Sequence, residues 1–159
     1  MLNWIDPQPD LKTGDIAPDF ILPGAQGQPV RLYDVLAAGQ WAVLFFYPKA
    51  HTPGCTKQAC AFRDVFVELK ALNAAVFGLS DGNEQELQSF AIKQKLPYPL
   101  LIDAQGKTAK AFGVHKTLGL IPGRATFVIS PDRTVHLAFS AQMETTQHAE
   151  KALAVLQKQ

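Results

Sequence analysis

Only two of the 159 residues are cysteine, too few for the disulfide scaffold that small secreted domains use in place of a core. Neither sign of charge is in excess: 15 basic against 14 acidic residues leave no electrostatic case for nucleic acid or an anionic membrane as the main partner, and a small or neutral substrate fits better. No apolar run approaches the roughly 20 residues of a transmembrane helix. Repeats and low-complexity tracts are also missing. The start, Met1-Leu-Asn-Trp-Ile-Asp-Pro-Gln-Pro-Asp10, lacks the basic residues and sustained apolar core of a signal peptide. The expectation is a cytoplasmic protein in a reducing compartment, where a cysteine pair is more often catalytic or redox-sensing than structural; an organellar form trimmed of its leader stays open. The four histidines, His51, His115, His136 and His148, are dispersed without the close ligand spacing of a zinc site, so neither a metal nor another cofactor is expected. The length fits one domain spanning 1–159, with an irregular lead-in over 1–14, able to bury roughly 70% of its unfolded surface.

What is present centres on Cys55. It ends the segment Pro48-Lys49-Ala50-His51-Thr52-Pro53-Gly54-Cys55, directly after the apolar run Trp41-Ala-Val-Leu-Phe-Phe-Tyr47. That run, aromatic and branched and stopped by Pro48, reads as a strand buried on both faces. Thr52 is a candidate N-cap and Pro53 suits the first helical position, which puts Cys55 in the first turn of a helix. Unpaired backbone N–H groups and the positive end of the helix dipole there favour the thiolate, the nucleophilic form of the side chain.

The other cysteine, Cys60, lies five positions further along the same helix. In an intact helix five residues advance about 7.5 Å and rotate about 500°, leaving the two sulfurs on different sides with their Cα atoms about 8.6 Å apart. Bridging without backbone movement requires roughly 7 Å or less. A Cys55–Cys60 disulfide therefore requires local unwinding, with a helix when reduced and a melted first turn or two when oxidised.

Around this centre the pattern predicts an N-terminal hairpin from short strands at 19–22 and 29–32, and a short helix at 33–38 closed by Gly39. Strands at 42–47 and 74–80 then alternate with helices at 53–72 and 83–95. A short strand at 97–102, a short helix at 107–112, a hairpin of strands 124–130 and 134–140, and a last helix capped by Thr145 or Thr146 and running to 156 complete the order. Strand–helix–strand units followed by a hairpin and a helix argue for an α/β protein with a central mixed sheet flanked by helices.

The remaining candidates read blandly by spacing. Thr52 is explained by capping alone, although its hydroxyl, both donor and acceptor, could also orient an oxygen-bearing substrate. Arg124, at a strand end after Pro122-Gly123, reads as a solvated surface residue. His51, four residues before Cys55, reads as an exposed loop residue rather than a base. Trp41, Phe45, Phe46 and Tyr47 read as core, and Phe62, Phe66 and Leu69, at helical spacing, as the anchor of the Cys60 helix.

The segment Phe46-Tyr-Pro-Lys-Ala-His-Thr-Pro-Gly-Cys-Thr-Lys-Gln-Ala-Cys60 resembles the active-site segment of peroxiredoxins, specifically the peroxiredoxin Q group, also called bacterioferritin comigratory proteins. Phe77-Gly-Leu-Ser80, Leu96-Pro-Tyr-Pro-Leu-Leu-Ile-Asp103, Gly106-Lys-Thr-Ala-Lys-Ala-Phe-Gly-Val114 and Arg124-Ala-Thr-Phe-Val-Ile129 are similar to that group's later blocks, so the resemblance covers most of 15–140. It implies a thioredoxin-like (peroxiredoxin) fold and a thiol peroxidase for hydrogen peroxide or organic hydroperoxides. By position, Cys55 matches the peroxidatic cysteine and Cys60 the resolving cysteine found in part of the group. Pro48 and Thr52 match the other members of the loop motif, and Arg124 the arginine that joins them, reversing its spacing-only reading. Ala50-His51 departs from the more usual acidic and polar pair, and Gly123 stands where a glutamate often precedes the arginine. These departures bear on the loop's charge and on substrate preference rather than on the reaction; 116–122 matches only loosely.

The resemblance further implies an intramolecular disulfide recycled by thioredoxin or a similar dithiol donor, in a chain that acts as a monomer. Two other classes compete. A non-enzymatic redox sensor would expose a binding surface when Cys55 and Cys60 join. A thioredoxin-like disulfide reductase would usually keep two residues between its cysteines, and here there are four.

Overall fold

The computed structural model describes residues 6–159; residues 1–5 of the expected lead-in lie outside the described residues. Ile21–Leu22 (β1) and Val30–Arg31 (β2) pair antiparallel as the expected hairpin, and Leu32–Ala37 (α1) follows. Trp41–Phe46 (β3), Pro53–Asp64 (α2), Phe66–Ala71 (α3), Ala74–Ser80 (β4), Glu84–Lys93 (α4) and Leu100–Ile102 (β5) build the parallel half of the main sheet. A short 3-10 turn, Ala104–Gly106, leads into Lys107–Ala111 (α5). Ala125–Ile129 (β6) and Val135–Ser140 (β7) add the antiparallel half, and Gln147–Gln157 (α6) ends the chain. The sheet order β5-β4-β3-β6-β7, with helices on both faces, is the thioredoxin-like peroxiredoxin fold. No helix among the described residues is long and apolar enough to cross a membrane.

The central strand β3 explains the two-sided core. Its residues 42–46 are all buried, so alternate side chains serve opposite layers. Val43, Phe45 and Tyr47 pack with Phe62 of α2, Leu69 of α3, Phe90 of α4 and Ala152 of α6. Ala42, Leu44 and Phe46 pack with Leu32 and Leu36 of α1, Phe112 and Phe127. Phe45 stacks on Phe62 with ring centroids 4.4 Å apart, which fixes α2, and therefore both cysteines, on one face of the sheet.

Several boundaries differ from expectation. The helix expected over 53–72 breaks at Val65 (φ −108°, ψ 10°). Periodicity does not register the break, because Phe62, Phe66 and Leu69 keep helical spacing across it, and the β-branched Val65 is the residue that leaves the helical region. The strand expected over 97–102 pairs only from Leu100, since Pro97 and Pro99 have no N–H for the ladder. At the hairpin, the Asp19 carboxylate accepts from the Tyr33 backbone N–H and from Arg31, and Leu32 joins α1 rather than β2. Thr146 stands at the start of α6, but its side chain makes no capping bond.

Candidate active site

The register of two strands brings the distant parts of the site together. Phe46 lies opposite Ala125 in the antiparallel β3–β6 pair, so the next residues outward, Tyr47 and Arg124, meet at the same end of the sheet. Pro48 then turns the chain away, half-buried, into the loop that carries Thr52. Arg124, which spacing alone leaves on the surface, is 6% exposed. It has three partners: Nη1 donates to Gln58 Oε1 at 2.6 Å and lies 3.5 Å from Cys55 Sγ, and Nε donates to the Gln142 carbonyl at 3.0 Å.

Cys55 occupies the first turn of α2, as expected, and is buried. Its sulfur also accepts from the Lys49 backbone N–H at 3.5 Å. A guanidinium and a backbone donor therefore converge on one sulfur at a helix N-terminus, and each favours negative charge there. Gly54 permits this approach, because a Cβ at that position would lie 3.1 Å from Arg124 Nη2. Gly123 is likewise dictated by space: a Cβ there would sit 2.3 Å from the His115 carbonyl oxygen, which accounts for the missing glutamate side chain.

Thr52 stands at the N-cap position with extended backbone (φ −81°, ψ 152°), but its side chain does not cap the helix. Its hydroxyl instead donates to the Lys49 carbonyl at 2.8 Å. The proton is thereby committed and the oxygen lone pairs are left free to accept. His51 is exposed, has φ +66°, and sets its ring edge-on to Phe90 at 5.3 Å. Burial pushes the Tyr47 phenol, near Cys55, well above its ordinary value, so it stays a neutral hydroxyl.

Cys60 is half-buried and, like the buried Cys55, is not joined in a disulfide. The structure does not bring the two sulfurs together. Cys55 Sγ faces Arg124 and Lys49, whereas Cys60 Sγ donates to Gln94 Oε1 at 3.5 Å.

Gln58 and His148 are absent from the sequence-based set. Gln58 is fully buried, orients Arg124 through Oε1, and leaves Nε2 without a partner. A signal existed: it stands three residues after Cys55, on the stripe that also carries Ala59 and Phe62. His148, also fully buried, bonds Thr126 Oγ1 at 2.8 Å and the Ala141 carbonyl at 2.9 Å. Burial, with Arg124 and Lys151 nearby, lowers its pKa to about 4 despite the bond to Ala141. It is thus neutral at pH 7, donating from Nε2 to Ala141 and accepting at Nδ1. It braces the strand end from which Gln142 holds Arg124. Among the described residues, no group of three or more His, Cys, Asp or Glu side chains could hold a metal ion.

Comparison with known proteins places this geometry in a family. The AhpC/TSA family matches residues 13–138. The chloroplastic peroxiredoxin Q of Sedum lineare is 40% identical over 145 residues, covering 91% of this chain and 77% of that protein. The crystal structure of peroxidoxin BcpB from Mycobacterium tuberculosis superposes with a TM-score of 0.84 at 45% identity, covering 93% of this chain and 97% of that one. The bacterioferritin comigratory protein of Xanthomonas campestris, studied for its alkyl peroxide reduction activity, gives a TM-score of 0.80 at 29% identity, covering 94% and 98%. The chain belongs to the AhpC/TSA family, in its peroxiredoxin Q or bacterioferritin comigratory protein group, and is a thiol peroxidase.

Proposed function

We propose that the chain, acting as a single monomeric domain, reduces hydrogen peroxide and organic hydroperoxides with Cys55 as the peroxidatic and Cys60 as the resolving cysteine. The observation that carries this reading is the convergence of Arg124 Nη1 and the Lys49 N–H on Cys55 Sγ, each at 3.5 Å. The Cys55 thiolate attacks one peroxide oxygen as the O–O bond breaks. The sulfur becomes a sulfenic acid, and the second oxygen leaves as water or alcohol after taking a proton. Arg124 stabilises charge on the leaving oxygen, and the acceptor lone pairs of Thr52 orient the protonated one. Pro48 shields and shapes the pocket.

The helix between the cysteines then opens, Cys60 attacks the sulfenic sulfur, and water departs. A dithiol donor of the thioredoxin type restores both thiols by exchange, in keeping with a reducing compartment such as the cytoplasm. The alkyl peroxide activity named for the Xanthomonas protein supports organic hydroperoxides as substrates here. Stopped-flow mixing with peroxide, with and without thioredoxin, tests the assignment: fast oxidation followed by donor-dependent recycling is expected. Slow peroxide consumption, with partner capture only in the oxidised form, would favour the redox-sensor reading instead.

A further inference from the structure

The two halves of α2 are held by different parts of the molecule. On the Cys55 half, Arg124 contacts Cys55 and Gln58, and the Lys49 backbone N–H contacts Cys55 Sγ. The Cys60 half is held by residues 94–98. The Tyr98 hydroxyl donates to the Ala59 carbonyl at 2.7 Å, Cys60 Sγ donates to Gln94 Oε1 at 3.5 Å, and Arg63 Nη1 donates to the Gln94 carbonyl at 2.8 Å.

This segment is a firm mount. Lys95 takes a left-handed conformation (φ +53°) after α4, and the Leu96 N–H returns to the Ala91 carbonyl at 2.9 Å, the six-to-one bond of a Schellman turn. Tyr98 is buried, and burial raises its phenol well above the ordinary value, so it remains a donor. Its acceptor, Ala59, lies between the two cysteines.

We propose that Tyr98 and Gln94 are positioning residues for the resolving step: they clasp the Cys60 half of α2, and their release sets the rate at which the disulfide closes. The inference rests on Cys60 being the resolving cysteine. In that step the Cys60 sulfur bonds to the Cys55 sulfur as the S–OH bond breaks. The leaving hydroxide takes up a proton, so that one thiol and one sulfenic acid give one disulfide and one water. Before it can occur, the Cys60 S–H must leave Gln94 and the turn at Ala59 must leave Tyr98. Until then the sulfenic acid is exposed to a second peroxide, which converts it to sulfinic acid. The clasp therefore holds the helix together for the first chemical step and lengthens the interval before the second.

The test is rapid-quench alkylation and mass analysis of wild type, Tyr98→Phe and Gln94→Leu after one equivalent of peroxide. Oxidation and disulfide closure are followed separately, with thermal unfolding of the reduced forms alongside. Tyr98→Phe keeps the ring, and Ala59 keeps its helical bond. Closure is expected to be about five-fold faster, the weight of one net hydrogen bond, and the sulfinic fraction at excess peroxide correspondingly lower. Gln94→Leu, which removes the acceptor of a weak S–H donor, is expected to close about two-fold faster. The ratio of closure to oxidation should rise in both, a change that general destabilisation would not confine to one step. Unchanged or slower closure in Tyr98→Phe, with a normal wild-type disulfide, overturns the clasp and leaves the role of Cys60 standing. If wild type forms no Cys55–Cys60 disulfide, both fall.

Discussion

Replacing Arg124 with alanine separates what that side chain does for chemistry from what it does for the fold. Its guanidinium lies 3.5 Å from Cys55 Sγ. There a full charge interacts with a thiolate by about 5 kcal/mol at an effective dielectric constant of about 20. Only the part that strengthens as charge moves to the leaving oxygen speeds the reaction. The loss of one such donor typically lowers the rate by about 10²–10³, which is the expected fall in the rate constant with peroxide. The structural effect is separate. Gln58 Oε1 loses its 2.6 Å partner while Nε2 already has none, and an unpaired buried amide oxygen costs about 1–3 kcal/mol. Stopped-flow oxidation of the reduced protein measures the first quantity and urea unfolding the second. Arg124→Lys keeps the charge without the planar fork and should recover only part of the rate. A rate within three-fold of wild type, alongside a clear loss of stability, would refute the reasoning and leave Arg124 a purely structural residue.

Three further outcomes follow from particular contacts. His148, with a folded pKa of about 4 against 6.5 unfolded, binds fewer protons in the native state, so its contribution to stability is complete above about pH 6.5 and is lost as pH falls toward 4. Urea unfolding should show a few kcal/mol less stability at pH 4.5 than at pH 7 from this group, a difference missing in His148→Gln; parallel pH curves for the two proteins would count against it. Gly54→Ala should leave thermal stability about unchanged, since alanine suits a helix. Its Cβ nevertheless meets Arg124 Nη2 at 3.1 Å, and the displaced guanidinium should slow oxidation about ten-fold; an undiminished rate would show that the arginine adjusts freely. Oxidation to the disulfide should strip amide protection from the first turns of α2, measured by hydrogen exchange, and equal protection in both redox forms would contradict the geometry of the cysteine pair.

The parts of this molecule that were legible in the sequence are those set by local rules. The buried central strand, expected at 42–47 and found at Trp41–Phe46, the helix start at Pro53 and the opposed directions of Cys55 and Cys60 all follow from apolar runs, proline position and helical rotation. Arg124 was not legible by spacing, because its place depends on pairing Phe46 with Ala125 across 79 residues of chain. Thr52 shows the limit of capping rules. Its backbone took the N-cap conformation, yet its hydroxyl donates to the Lys49 carbonyl and accepts no bond from the helix N–H groups. Gln58 could have been suspected as a polar residue on the buried stripe of α2. Gln94 and Tyr98 carry no mark of a role beside Cys60, and only the placement of 94–98 against α2 gives them contact with the Cys60 half.

The central claim is that Cys55 meets the peroxide and Cys60 answers it. The most direct measurement is mass analysis of Cys60→Ser after one equivalent of hydrogen peroxide and trapping with a sulfenic-acid reagent, with donor-supported peroxide consumption by Cys55→Ser in parallel. One sulfenic acid per chain, located at Cys55, and no turnover in Cys55→Ser are the predicted results. Full donor-supported turnover in Cys55→Ser, or no sulfenic acid at Cys55 in Cys60→Ser, would contradict the account.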